Sequence, residues 1–503
     1  MQVPSKIGKV MKRAIGLLTT DESRQIDLEL PFTILMFALM AASGITLYEG
    51  WKKLGSVNLL PATRKEAKEI IRRVEVLGRD PLTVMYRKAE ETKSKAYREF
   101  LVGYVSAMKS GGNVLSFLRS KLSSILAIRS AAAKQSVETL TTLVEVYTVM
   151  LVVTLCCYIL FVVMFSSGIL NAMGAPTSIE ASPVTYFLFM FLTSLMSVTL
   201  MIIAHLTRKS NLVALKKPYI IAVFPLIGTL VFFVMTMFLP QLQFIVDSLG
   251  VPVLALICLL VISVPPIFSY QQIAKTNFAA EDAMPGFLRD VADARKTGLS
   301  PETCIIQASK RREYGGFSEV LELIRNQIEW GIPLRTIFRN IGKRIKSWPV
   351  LVNFFVLIES IEVGGGSATA LEILTEYSEK SRDIEKTKRN MLRPYILLSF
   401  IWSVLLAFTM TTLTTIMNAL NQMSIAGATI LPTRIATAVQ PTMSLFSAGV
   451  IFQCWLSGFF MGKVSDGSFA AGFKYSTMLA ITAYLSLLVS QNLLGNMFNL
   501  IPG

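Results

Sequence analysis

Residues 31–48 read PFTILMFALMAASGITLY, and residues 285–298 read PGFLRDVADARKTG. The first is an apolar run of the kind found in a membrane span or in the core of a signal peptide, and Ala38 to Ala42 resembles a small-residue cleavage site. The second is a soluble amphipathic helix. Both open on a proline and close on a glycine 13 residues later, Pro31 with Gly44 and Pro285 with Gly298, and Ser43-Gly44 faces Thr297-Gly298. As a span, 31–48 is short and places Lys6, Lys9, Lys12 and Arg13 on the outer side, against the excess of cations that cytoplasmic segments carry. As a copy of 285–298 it is a buried or membrane-leaning helix of a cytoplasmic bundle, with proline in its first turn and glycine at its end.

Further anchors support the copy. Gly78-x-x-Pro81-Leu82 faces Gly331-x-Pro333-Leu334, and Ser110-Gly111-Gly112 faces Gly364-Gly365-Gly366, at separations of 252 to 254 residues. Each copy then runs into an apolar helix, so the chain contains an internal duplication. The glycine groups are read as helix-to-helix turns that need φ > 0. As a phosphate cradle the second group is poor, because Glu359 and Glu362 precede it and neither loop supplies a P-loop lysine.

Outward from the repeat, the composition is that of a membrane protein. Of the 503 residues 52% are hydrophobic and 16% charged, with a mean hydropathy of +0.54; an average soluble chain carries about 25% charged residues. Seven stretches can cross about 30 Å of hydrocarbon: 144–166, 184–206, 219–239, 250–270, 394–417, 441–461 and 475–496. None contains Lys, Arg or Asp; Glu145 and His205 lie at their ends. The 49 Lys and Arg against 33 Asp and Glu give a net charge of +16. Loops 167–183 and 240–249 hold no cation and 418–440 holds only Arg434, whereas 207–218 holds Arg208, Lys209, Lys216 and Lys217, and 462–474 holds Lys463 and Lys474. This alternation places the N-terminus and both polar blocks in the cytoplasm and the C-terminus outside.

The expected fold is all-α: a polytopic membrane protein with two related helical-bundle cytoplasmic domains and about seven transmembrane helices. Its divisions are a basic amphipathic segment (1–26), a first cytoplasmic domain (27–143), a four-helix membrane region (144–270), a second cytoplasmic domain (271–393) and a three-helix membrane region (394–503). In the first segment Ile7, Val10, Met11, Ala14, Ile15 and Leu18 share a face beside the lysines, a pattern that suits anionic lipid or a bundle helix.

The chain offers little chemistry of its own. His205 is the sole histidine, and Cys156, Cys157, Cys258, Cys304 and Cys454 include no CxxC, so no Cys/His metal site is expected and no cofactor. No G-x-x-x-x-G-K-S/T, H-E-x-x-H or EF-hand pattern occurs. The alternative class is a membrane transporter or permease with cytoplasmic regulatory domains; an ion-coupled one usually carries ionisable groups mid-membrane, and the spans have none there, an argument that does not extend to uncoupled or lipid transport.

Basic clusters are the remaining candidates: Arg72-Arg73, Arg87-Lys88, Lys310-Arg311-Arg312 and Lys343-Arg344-x-Lys346. Their partners are anionic lipid heads, worth about 1 kcal/mol per cation near the surface, or an acidic patch on a protein. Nucleic acid is excluded as a partner, because no aromatics interleave with the clusters and topology already accounts for the charge. Gly458 and Gly462 form a small-xxx-small pair, suited to helix packing within the chain or in a homodimer.

The blocks FLRDVADARKTGLSPETCIIQA, QIEWGIPLRTIF and LIESIEVGGGSATALEIL in the second copy, and RRVEVLGRDPLTVMYRKAEE and LVGYVSAMKSGGNVLSFL in the first, resemble the paired cytoplasmic domains of the platform proteins of type II secretion and type IV pilus systems. The late segment GFFMGKVSDGSFAAGFKYS is similar to the archaeal branch, which includes the archaellum platform. The resemblance implies a non-enzymatic inner-membrane assembly platform whose partners are a hexameric cytoplasmic secretion ATPase and pilin-like subunits.

Overall fold

In the computed structural model, the described residues are 22–57, 60–166, 194–205, 216–238, 248–311, 314–425 and 433–499. Among them every element is a helix. Lys6, Lys9, Lys12, Arg13 and Arg312 lie outside the described residues. In chain order the helices are α1 (Glu22–Ala42), α2 (Leu47–Gly55), α3 (Pro61–Glu75), α4 (Pro81–Glu91), α5 (Lys95–Lys109) and α6 (Val114–Ser166). Then come α7 (Ser194–His205), α8 (Lys216–Phe238), α9 (Val251–Lys296), α10 (Pro301–Ser309), a 3-10 turn (Gly315–Phe317) and α11 (Ser318–Glu329). The chain continues through α12 (Leu334–Arg344), α13 (Trp348–Gly364), α14 (Ala368–Ile425), α15 (Thr433–Asp466) and α16 (Phe469–Asn499).

These helices fold into two compact units. Unit 1 comprises Met1–Lys134 and Ile273–Thr387, and unit 2 comprises Gln135–Gln272 and Lys388–Gly503. Both copies of the repeat thus belong to unit 1.

The duplication is visible helix by helix: α1 to α6 correspond to the end of α9, α10, α11, α12, α13 and α14. At three equivalent turns a glycine takes the left-handed conformation, Gly44 (φ 76°) with Gly298 (86°), Gly78 (61°) with Gly331 (72°), and Gly111 (67°) with Gly365 (61°). Gly366 is also left-handed, but Gly112 is not, and Gly364 is the last residue of α13. The turns after α1, α5 and α11 close alike: the amide of the residue following the glycine donates to a carbonyl five residues back, Ile45 to Met40, Gly112 to Ala107 and Ile332 to Gln327. The expectation that Pro31 and Pro285 open helices is overturned. Pro31 lies inside α1 and Pro285 inside α9, because both opening helices extend well upstream of the proline. Pro333 is the N-cap of α12, the position that Asp80 holds before α4.

In α1 residues 29–40 are buried without interruption. The reason lies in its neighbours: it packs on α2, α3 and α5 of its own copy and on α13 of the other. Phe37 meets Trp51 and Phe100, with ring centroids 4.8 and 5.9 Å apart; Phe32 meets Trp348 and Tyr377, at 4.6 and 5.4 Å, edge to face. A helix surrounded on all sides is apolar all round. Burying each large side chain contributes about 1.5–3 kcal/mol. In the second copy, the matching end of α9 buries Phe287, Leu288, Val291 and Ala292 while Arg289 remains accessible, so it stays amphipathic.

Unit 2 holds the long apolar stretches. Among the described residues, six helical segments are long and apolar enough to cross a membrane: Gln25–Ala42, Val114–Cys157, Val251–Lys296, Ala368–Ile416, Ser444–Asp466 and Phe469–Leu494. The last five overlap five of the seven expected spans. The other two expected spans carry the described apolar helices α7 and α8. Gln25–Ala42 is the stretch already seen buried in unit 1. Inside unit 2 the polar side chains pair between helices: Tyr147 with Ser457 at 2.6 Å, Gln453 Nε2 donating to Ser197 at 2.6 Å, and Trp455 Nε1 donating to Ser263 at 2.7 Å.

Candidate functional site

The charged residues of unit 1 sort into those that tie helices together and those left on the surface. Lys88 of α4 is 8% exposed and holds Glu69 of α3 at 2.6 Å and Glu66 at 3.2 Å. Arg73 joins the same network, donating to Glu69 at 2.6 Å and to Glu91 at 2.8 Å. The hydrogen bond from Lys88 is the chief reason that the Glu69 carboxyl lies below its usual 4.5, whereas burial pushes Glu66 up. Burial acts to lower Lys88, but its bonds to both carboxylates outweigh this and leave it above 10.5.

Of the basic residues singled out above, Arg311 pairs with Asp290 of α9, which also accepts from the Tyr314 hydroxyl. Arg344 pairs with Glu319 at 3.5 Å, and the Lys346 ammonium donates to the Gly342 carbonyl at 3.0 Å. Arg73 and Lys88 belong to the network just described. Arg72, Arg87, Lys310 and Lys343 remain exposed on the surface of unit 1. The clusters therefore do not act as blocks: within each, at least one member is bonded to a neighbouring group and at least one stays exposed.

The glycine turn after α13 is closed by a side chain that sequence reading missed. Arg295, near the end of α9, donates Nε to the Gly366 carbonyl at 2.9 Å, Nη2 to Gly365 at 3.1 Å and Nη1 to Leu299 at 2.5 Å. The turn thus presents carbonyls to a cation, the reverse of what a phosphate requires. Beside it Arg335 of α12 binds Glu362 at 2.6 Å and Glu359 at 3.2 Å.

Two more ties repeat between the copies. The Ser94 hydroxyl, at the N-cap of α5, donates to Asp27 of α1, and the Ser347 hydroxyl, at the N-cap of α13, donates to Glu281 of α9 at 2.6 Å. Asp27 and Glu281 are 254 residues apart and Ser94 and Ser347 are 253 apart, the spacing of the glycine anchors, so the repeat itself carried that signal. Glu29 caps α3, accepting the amides of Ala62 at 3.2 Å and Thr63 at 2.7 Å; a carboxylate suits the positive end of a helix.

In unit 2, Gly458 and Gly462 of α15 face α16 of the same chain. A Cβ on Gly458 meets the Ser476 backbone at 2.2 Å, and one on Gly462 meets Gly472 at 2.3 Å. His205 stacks on Phe469 with centroids 5.3 Å apart, and Lys463 beside it donates to the Gly467 carbonyl at 2.8 Å. Among the described residues all five cysteines are free.

These features define an all-helical, multi-pass membrane protein in which unit 1 is assembled from two copies of one bundle. The chain belongs to the type II secretion system protein F family, which matches residues 33–162 and again 287–415, together just over half of its length. The two matches begin 254 residues apart, as the glycine turns do. A protein of Methanocaldococcus jannaschii, described as uncharacterized, is 21% identical over 496 residues, covering 93% of this chain and 80% of its own. No solved structure matches the chain.

Proposed function

We propose that the chain is the inner-membrane platform of a type IV pilus-like machine (pilus, archaellum or secretion pseudopilus), coupling a cytoplasmic secretion ATPase to the insertion of pilin-like subunits. One observation carries this reading: the family matches twice, and both matched copies contribute to one folded unit. The chain passes between the units at 134/135, 272/273 and 387/388, and each of these points falls inside a continuous helix, α6, α9 or α14. Helical connections of this kind suit the transmission of mechanical work better than flexible linkers. Positive-inside charge bias supports a cytoplasmic unit 1 and an outer C-terminus. Arg72, Lys310 and Lys343, exposed on unit 1, are the candidates for an acidic ATPase surface or for anionic lipid heads.

Deletion of the gene is expected to abolish surface filaments seen by electron microscopy and leave the ATPase without a membrane attachment. Intact filaments in the deletion strain overturn the platform reading. Reversing Arg72, Lys310 and Lys343 to Glu is expected to weaken recovery of the ATPase with solubilised membranes. Unchanged recovery removes these residues from the docking site and leaves the platform reading in place.

A further inference from the structure

The three equivalent glycine turns of both copies lie at one end of unit 1. In the first copy Gly44, Asp80, Pro81, Asn113 and Val114, drawn from all three turns, line one cavity. In the second, Arg295 joins the turn after α9 to the turn after α13, and Arg335 in the first turn of α12 binds Glu359 and Glu362 near the end of α13. The copies run the same way. Phe32, midway along α1, meets Trp348 at the start of α13, while Ser43 and Ile45 just past α1 share a small cavity with Glu359 and Ser360. The chain leaves unit 1 at Lys134, Ile273 and Thr387. The rise of α6, α9 and α14 carries those points about 30 Å from the turns. The turn end is therefore the free end of unit 1.

That end carries side chains for which the fold has no use. Leu77 and Trp330 hold equivalent places, each directly before the left-handed glycine of its turn, and are 58% and 77% exposed. Val76, beside Leu77, is exposed as well. The apolar contact that such a turn needs is made in the second copy by Ile332, which packs on the core. The Trp330 indole has no hydrogen bond or ring contact among the described residues. The first copy adds Arg72 and Arg79 on either side of its turn, and Lys109 at the end of α5; all three are exposed and without an ion pair among the described residues. In the same stretch Glu75 is taken by Lys52, and Asp80 by the N-terminus of α4, so the free charge of this turn is positive.

We infer that the turn end of unit 1 is the surface on which the cytoplasmic secretion ATPase docks, with Leu77 and Trp330 as apolar anchors and Arg72, Arg79 and Lys109 meeting carboxylates on the partner. This rests on the platform reading and deepens it by naming the face that the ATPase meets. Charge complementarity selects an acidic surface. Position selects a protein over lipid, because this end lies opposite the points where the chain leaves unit 1 for the apolar helices. An exposed tryptophan and leucine at matching turns suit two sockets of one partner, and a few such anchors dominate the binding energy of a protein interface.

Recovery of the ATPase with detergent-solubilised membranes that contain the full chain tests this. Leu77→Asp and Trp330→Ala are each expected to cut recovery about tenfold, the loss typical of removing an interface anchor. Arg79→Glu is expected to cut it severalfold. Ile128→Asp, at an exposed position of α6 about 20 Å from the turn end, is expected to leave recovery unchanged. Melting temperatures should match that of the unsubstituted protein, since every substituted side chain is exposed. Unchanged recovery in the three turn variants, or an equal loss in Ile128→Asp, overturns the docking face. Should a turn variant fail to fold, photo-cross-linking in native membranes with Leu77→benzoylphenylalanine decides. An adduct with the ATPase is expected, and an adduct with lipid or with a second copy of this chain, or none, overturns the proposal. Failure of the unsubstituted protein to recover the ATPase counts against the platform reading as well, whereas failure in the variants alone leaves that reading in place.

Discussion

Lys88 stands between two carboxylates that respond to pH in opposite directions. Glu69, held below 4.5 chiefly by the hydrogen bond from Lys88, contributes stability that is complete above 4.5 and lost as pH falls through its lowered value. Glu66, raised above 4.5 by burial, contributes stability that is complete below 4.5 and lost as pH rises through its raised value. Glu69→Gln is therefore expected to cost about 1–3 kcal/mol at pH 7, with the deficit shrinking as pH is lowered toward 3. Glu66→Gln is expected to cost less than Glu69→Gln at pH 7. Thermal unfolding of the detergent-solubilised protein across that range checks both, and the opposite ranking would show that the network is arranged otherwise. At this scale the sequence showed which residues carry charge but not their use. Arg72 and Arg73 are adjacent and alike in sequence, yet one is exposed and the other bonds Glu69 and Glu91. The difference is a rotation of about 100° around a helix, which matters only once α4 lies alongside.

Helices α15 and α16 of unit 2 approach each other closely, and small residues allow it. The Gly458 and Gly462 spacing was legible, since four residues place both on one face. Whether that face meets this chain or a second copy was not, because the partner of an apolar face is set by where the neighbouring helix falls. Gly458→Ala and Gly462→Ala each force the α16 backbone away and are expected to cost about 1–3 kcal/mol by overpacking. Gly228→Ala in α8, where nothing lies within 4 Å of the added atom, is expected to be neutral or slightly stabilising. Melting of the three variants in one detergent checks the contrast; equal effects at all three positions would place α15 elsewhere. The helix α1 teaches the same lesson. Its apolarity suggested a span, its glycine end matched a soluble helix, and burial on every side reconciles the two.

The whole molecule adds what neither a residue nor a helix shows: the two copies complete each other in unit 1. Phe32 of the first copy lies against Trp348 and Tyr377 of the second, and the Arg129 guanidinium sits 5.5 Å from the Phe32 ring. Trp348→Ala is expected to cost about 3 kcal/mol and to raise amide exchange in α1 as well as α13. Faster exchange confined to α13 would mean that the copies unfold separately. By itself the sequence determined the helical class, the apolar stretches, the duplication and its glycine turns, because each is written in local spacing: helix periodicity, span length and the left-handed backbone that glycine permits. Tertiary structure alone decided that α1 is enclosed, that Arg295 closes one glycine turn, that Arg73 and Lys88 are spent on ion pairs while Arg72 and Arg87 stay exposed, and that Gly458 and Gly462 face α16. Those outcomes depend on which side chains the fold brings within a few ångströms from separate helices, and no local pattern encodes that approach.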